Sequence, residues 1–191
     1  VKFRTTLILA AIFVVLAACV VYLRSLQVKE PRTTPPEVWS VEEDSIEHIG
    51  IFLPRENREV AFAKGAEHRW FFDDPDQSPV DMKRWGGIVL LVTGPQSRRQ
   101  IADRVEQPAD FGLAQPQMII SLGLKDYKEK VRVLVGDRTP DNNHFYVQVE
   151  GTEPLYIVDH TWGEVMKRLA TEPPLPAIIK ERRERSLGQE D

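Results

Sequence analysis

Apolar side chains recur along this chain with two different periods, and each period predicts its own kind of element. Strict alternation, the signature of a half-buried strand, runs through Ile46–Leu53, where Ile49, Ile51 and Leu53 share a face. It returns at Arg69–Phe72 with Trp70 and Phe72, and at Met118–Leu124 with Met118, Ile120, Leu122 and Leu124. Val131, Val133 and Val135 continue the pattern, followed by Phe145, Val147 and Val149 and then by Leu155 and Ile157. Turn residues separate these runs at Lys125-Asp126-Tyr127, across Gly136–Asn143 and at Gly151-Thr152-Glu153-Pro154.

The period lengthens to that of an amphipathic helix in two places. Asp81 to Thr93 sets Trp85, Ile88, Val89 and Val92 on one stripe, and Asp159 to Ala170 does the same with Trp162, Val165, Met166 and Leu169. The four positions of one stripe lie 77 residues before those of the other. Glycine follows both tryptophans (Gly86, Gly163), and a Val-Asp pair precedes both helices (Val80-Asp81, Val158-Asp159). The aspartates suit N-caps, whose side chains accept from the first free backbone N–H groups. The pattern predicts an α+β domain of antiparallel sheets with two amphipathic helices over residues 37–173, in two related β-rich halves, 37–96 and 97–173.

A third pattern is unbroken rather than periodic. Thr5 to Leu23 carries no charge, and its 19 residues span ~28 Å as a helix at ~1.5 Å per residue, close to a bilayer core of ~30 Å. Residues 1–4 form a short tail with Lys2 and Arg4, and Arg24 closes the run. Residues 5–23 are therefore expected to be a transmembrane anchor in contact with lipid, with the larger domain outside the cytoplasm. Leu16-Ala17-Ala18-Cys19 also fits the site at which bacterial lipoproteins are cut and acylated. The apolar residues Val20 to Leu23 continue the span where a lipoprotein would begin a polar tether, so Cys19 is expected to be an unmodified helix residue. Residues 24–36 hold three prolines in six positions and read as a stiff spacer, while residues 174–191 read as a charged tail.

Charge refines this layout. Before Glu37 five basic residues face one acidic residue, a net of +4, and the remainder carries −8. An acidic soluble part argues against nucleic acid as a partner, because such binding needs a basic face. One cysteine rules out an internal disulfide and a cysteine-based zinc cluster.

The order of several short motifs carries a resemblance. They are Trp39–Ile51 (W-S-V-E-E-D-S-I-E-H-I-G-I), His68–Pro75 (H-R-W-F-F-D-D-P), Pro79-Val80-Asp81, Ala109–Pro116 (A-D-F-G-L-A-Q-P), Val135–Pro140 (V-G-D-R-T-P), Phe145–Val149 (F-Y-V-Q-V) and Leu155–Asp159 (L-Y-I-V-D). Together they resemble the bacterial membrane-anchored family known as domain of unknown function 4340, over about residues 37–173 plus the anchor. The resemblance implies a single-pass protein of the bacterial cytoplasmic membrane with an accessory role in envelope transport. It assigns no catalytic residue.

No motif in the chain completes a catalytic set. Asp110-Phe111-Gly112 matches a kinase tripeptide without the glycine loop or catalytic-loop aspartate that phosphoryl transfer needs, and reads as a turn with Phe111 and Leu113 tucked into the core. Asp137, Asp141, Asn143 and His144 crowd one loop but miss the ligand spacing of a calcium loop, and read as a turn capped by short polar side chains. His48, His68, His144 and His160 form no metal-binding spacing, and His48 and His68 are expected on strands. Ser45, Ser97 and Ser121 lack a local base. Glu42-Glu43-Asp44 reads as a turn cap. All four tryptophans suit a core, with Trp39, next to the spacer, the candidate for an exposed interaction surface.

The expectation is thus a non-enzymatic accessory protein with no catalytic, cofactor or metal residues and no cofactor, bound to membrane lipid and to another envelope protein. Its alternatives are a small-ligand or glycan-binding module with a cleft between the halves, and a hydrolase or metal enzyme with a dispersed site.

Overall fold

The computed structural model describes residues 38–95 and 97–181, together with Phe13 and Leu16. The chain divides into two compact units, Val1–Thr34 and Pro35–Asp191. In the first, Phe13 and Leu16 are helical with exposed side chains. Apart from these two, the expected anchor at 5–23, Cys19 and the spacer at 24–36 lie outside the described residues, as does the tail beyond Glu181. Among the described residues no helix is long and apolar enough to cross a membrane.

The second unit is an α+β domain built on one antiparallel sheet of eight strands. In chain order these are β1 (Ile46–Leu53), β2 (Arg58–Lys64), β3 (Trp70–Phe72), β4 (Ser97–Ala102), β5 (Met118–Leu124), β6 (Val131–Arg138), β7 (His144–Val149) and β8 (Leu155–Asp159). They lie side by side in the order β3-β2-β1-β5-β6-β7-β8-β4. Three α-helices pack on one face: α1 (Met82–Trp85), α2 (Ile88–Thr93) and α3 (His160–Thr171).

Period-two alternation does the sorting. Ile49, Ile51 and Leu53 of β1 are almost wholly buried, as are Ile120 and Leu122 of β5, Val133 and Val135 of β6, and Phe145 and Val147 of β7. They meet Trp162, Met166, Leu169 and Ala170 of α3 in one core. Each such large side chain contributes roughly 1.5–3 kcal/mol through burial. Asp81 and Asp159 are the N-caps, with Oδ1 accepting from the N–H of Lys83 at 3.0 Å and of Thr161 at 2.7 Å.

The helix expected over 81–93 is broken in two. Gly86 ends α1, and Gly87, at φ 81°, sits in the left-handed region before α2. The apolar stripe survives the break, since Trp85, Ile88 and Val92 remain buried.

Trp39 is buried, at 8% exposure, not the open surface its position beside the spacer suggested. Its role explains why. A helix leaves its last four carbonyls without intrahelical partners, and in α2 each finds a donor. Leu90 O accepts from Thr93 Oγ1 (2.7 Å), Leu91 O from Trp162 Nε1 (2.9 Å), Val92 O from Trp39 Nε1 (2.7 Å) and Thr93 O from the Val41 N–H (2.8 Å). The two indoles that cap the helix pack edge to face, with centroids 5.6 Å apart. Trp70 and Trp85 are buried too.

Other elements depart from the pattern. β2 and β4 are strands without a strong sequence signal. β6 runs on to Arg138, with a register irregularity after Val135, so the turn before β7 is shorter than expected. His68 lies in a 3-10 turn (Ala66–His68) at φ 60°, not on a strand. Pro174 is buried and Leu175 packs against the core, so the segment expected as a charged tail begins docked on the domain. Pro174 O accepts from the Asp81 N–H at 2.8 Å, and the Arg84 guanidinium donates to the carbonyls of Glu172 (2.7 Å) and Pro173 (3.0 Å).

Candidate functional site

The helices cover one face of the sheet and leave the other to loops and solvent. β4 occupies the edge beyond β8, yet the next strand, β5, lies at the centre beside β1. The connection over residues 103–117 therefore has to return from edge to centre. It does so across the open face as a strap. Phe111 packs edge-on against Tyr146 of β7, with centroids 5.1 Å apart, and Leu113 is buried. Gly112, at φ 69°, lies against the backbone of Asp137, and Gly136 of β6 lies against the Phe111 carbonyl, so closely that a Cβ at either glycine would collide. The Gln117 side chain donates to the Gly136 carbonyl. Asp110-Phe111-Gly112 is thus a strap turn. Asp110 lies in its 3-10 portion, and Gly112 provides the left-handed residue.

Beside the strap a cavity of about 560 Å³ opens at the β7–β8–β4 end of this face. Its sheet floor follows from register: Tyr146 pairs with Ile157, and Ile157 pairs with Arg99, so the three side chains form one row across three strands. Ile101 of β4 and the Thr139-Pro140-Asp141 loop wall it, with His144 completing the lining.

The crowded polar loop forms this wall and holds itself together. Asp141 accepts from the Thr139 hydroxyl, from the Asn143 N–H (3.2 Å) and from the Asn143 side-chain amide (3.1 Å). Those donors hold its carboxyl down to about 2. The His144 N–H donates to Thr139 Oγ1 at 3.1 Å. Its imidazole Nδ1 lies 3.9 Å from Asp141 Oδ2, and Nε2 is buried with no partner among the described residues. Asp137 points elsewhere and pairs with Arg55 at 3.1 Å. Among the described residues no group of three or more His, Cys, Asp or Glu side chains is placed to hold a metal ion.

A second cluster lies on the same face near its centre. His48 of β1 lies close over Gly123 and Gly50, neither of which has a side chain to displace it. Its Nε2 is 3.1 Å from Asp73 Oδ2, and Lys130 Nζ is 3.3 Å from both ring nitrogens. Burial and then the Lys130 charge push the imidazole below its ordinary value of 6.5, against the pull of Asp73. The neutral ring donating Nε2–H to Asp73 fits this balance. Ser121, opposite Gly50 in the register, occupies the same face, but no hydrogen bond joins it to His48 among the described contacts.

The remaining candidates are scattered. His160 lies against Phe145 in α3, His68 is exposed in its turn, and Ser45 bonds to the Glu42 carbonyl at 2.6 Å. Glu43 and Asp44 begin the same 3-10 turn. Ser97 begins β4 at the sheet edge. Arg99, Ile101, Tyr146 and Ile157 of the cavity, and Asp73 and Lys130 around His48, carry no local sequence signal. Only the pairing of the strands they lie on or next to brings them together.

An antiparallel sheet with helices on one face and a strapped, partly open second face defines an α+β domain. Residues 70–172 match the model of one family, described as Domain of unknown function (DUF4340). The match takes in more than half of the chain, and the chain belongs to that family. No curated protein and no solved structure matches it.

Proposed function

We propose that the chain is a non-catalytic accessory protein of a bacterial envelope complex, of the transport-associated kind that the family resemblance implies, tethered to the cytoplasmic membrane through residues 5–23 with its domain outside the cytoplasm. The observation that supports a protein partner is the outward face of the helix layer. Leu90 is 64% exposed, its neighbour Leu91 39%, and Met82 on α1 63%. Apolar side chains grouped on a rigid element mark contact surfaces more often than singly scattered ones do. α2 is anchored at its end, where all four of its terminal carbonyls are bonded, two of them to indoles. Affinity purification from mildly solubilised membranes tests the reading. A stoichiometric membrane partner should accompany the protein and be lost in L90D/L91D at unchanged thermal stability. Recovery of the wild type alone contradicts it.

The two halves of the domain read as related. β1, β2 and β3 lead through an antiparallel bridge at Pro79 to an Asp-capped helix carrying Trp85-Gly86. β5, β6, β7 and β8 lead to an Asp-capped helix carrying Trp162-Gly163. The pairing of β1 with β5 joins them.

A second reading, a small-ligand-binding module, is favoured by one observation, the cavity at the β7–β8–β4 end, whose volume falls in the ~300–1,000 Å³ range of small-molecule sites.

A further inference from the structure

We propose that this cavity binds a small uncharged molecule, an aryl or short alkyl body carrying one carbonyl or hydroxyl oxygen, with the Tyr146 hydroxyl as its hydrogen-bonding anchor. The inference rests on the ligand-binding reading and names the ligand class for it. The apolar body follows from the lining. Ile101, Ile157, Pro140 and the Tyr146 ring offer little to a polar body such as a sugar, which would leave hydroxyls unpaired against them.

The lack of charge follows from what the polar lining has already committed. Asp141 and Arg99 bring opposite charges to the cavity, and both are engaged within the protein. The two Asp141 oxygens serve three donors inside their own loop. Thr139 Oγ1 donates to Asp141 and accepts from the His144 N–H at 3.1 Å. His144 Nε2 is closed off from solvent, so a molecule entering the cavity does not meet it. A charged ligand would shed its water without gaining an uncommitted counter-charge, a cost that an uncharged ligand avoids. Tyr146 differs from these groups. It is only partly buried, and its hydroxyl has no hydrogen-bond partner among the described residues. A phenolic O–H both donates and accepts, so it suits a single carbonyl or hydroxyl oxygen. Phe111 of the strap holds the ring edge-on at 5.1 Å, and Ile157 lies beside it in the register, so an oxygen on the hydroxyl lays the attached body along the apolar floor.

The test uses the full chain in lipid nanodiscs, with empty discs to correct for probe taken up by lipid. Its two probes differ only by a methyl group in place of a charged oxygen: 4-phenylbutan-2-one and 3-phenylpropionate. Titration followed through the Ile157 methyl resonances should show the ketone binding at least tenfold more tightly than the carboxylate. Tyr146→Phe keeps the ring and should weaken the ketone about fivefold, the loss of one hydrogen bond. Ile101→Trp, or Pro140→Trp in the exposed loop should the first variant fail to fold, should fill the cavity and abolish binding of both probes. A ketone preference below tenfold, or a ketone affinity unchanged in Tyr146→Phe, with binding lost in the filled variants, overturns this ligand class while the ligand-binding reading stands. Absence of any binding in the wild type, or binding that survives the filled cavity, overturns both.

Discussion

His48 shows how much a single side chain's environment can be worked out from its neighbours. It lies over Gly123, half-buried, with the Asp73 carboxylate at Nε2 and the Lys130 ammonium in reach of both ring nitrogens. Burial is the largest influence and Lys130 the next, and both oppose protonation. The folded pKa therefore lies below the unfolded value, and the unfolded chain binds the proton more readily. Stability is unaffected well above pH 6.5 and falls as the pH drops through 6.5 toward the folded value. Histidine NMR titration should find His48 below 6.5. Lys130→Gln should move it up and Asp73→Asn should move it further down. A His48 that titrates above 6.5, or that ignores both substitutions, contradicts this environment. The pair itself was hidden in the sequence, because His48 and Asp73 meet only after β1, β2 and β3 have folded side by side.

The elements are held by two glycines whose demands differ in kind. Gly87 is at φ 81° with open space where a Cβ would point. Gly87→Ala meets no clash, and its cost is the left-handed backbone alone, about 1–2 kcal/mol. Gly136→Ala meets the Phe111 carbonyl of the strap, a backbone atom that cannot swing aside, and should cost more, about 3 kcal/mol. Denaturant unfolding of the two variants checks the order. A smaller loss at Gly136 than at Gly87 would mean that the strap does not press on the sheet.

Legibility at this scale followed burial. β1, β5 and α3 declared themselves through Ile, Leu, Met and Trp at the right period, and Asp81 and Asp159 through their capping chemistry. β2 did not, because the alternation around Val60 and Phe62 is filled with Ala61 and Ala63, which signal neither face. β4 (S-R-R-Q-I-A) is a polar edge strand with two register irregularities, and tertiary pairing with β8 overrides its weak local preference. The cavity was invisible for the same reason, since two of its lining residues sit on that strand. The stripe of Trp85, Ile88 and Val92 persists across the Gly86-Gly87 break, so the sequence pattern predicts one helix over 81–93 where the structure has two.

At the scale of the whole molecule, the domain divides its labour between two faces. One side of the sheet is a packed core roofed by helices, and the roof holds Leu90 and Leu91 out on a turn whose carbonyls are capped. The other side carries the strap, the cavity and the His48 cluster. The sequence adds an uncharged run at 5–23 and a proline-rich spacer ahead of this domain, and membership of the family leaves its activity open. Binding through the helix roof is the claim on which the functional account stands. A photo-crosslinking amino acid placed at Leu90 in living cells tests it most directly, with the exposed Asp76 as the control position. The account predicts one discrete membrane-protein adduct from Leu90, diminished by Leu91→Asp and missing from Asp76. No adduct from Leu90, or the same adducts from both positions, would contradict it.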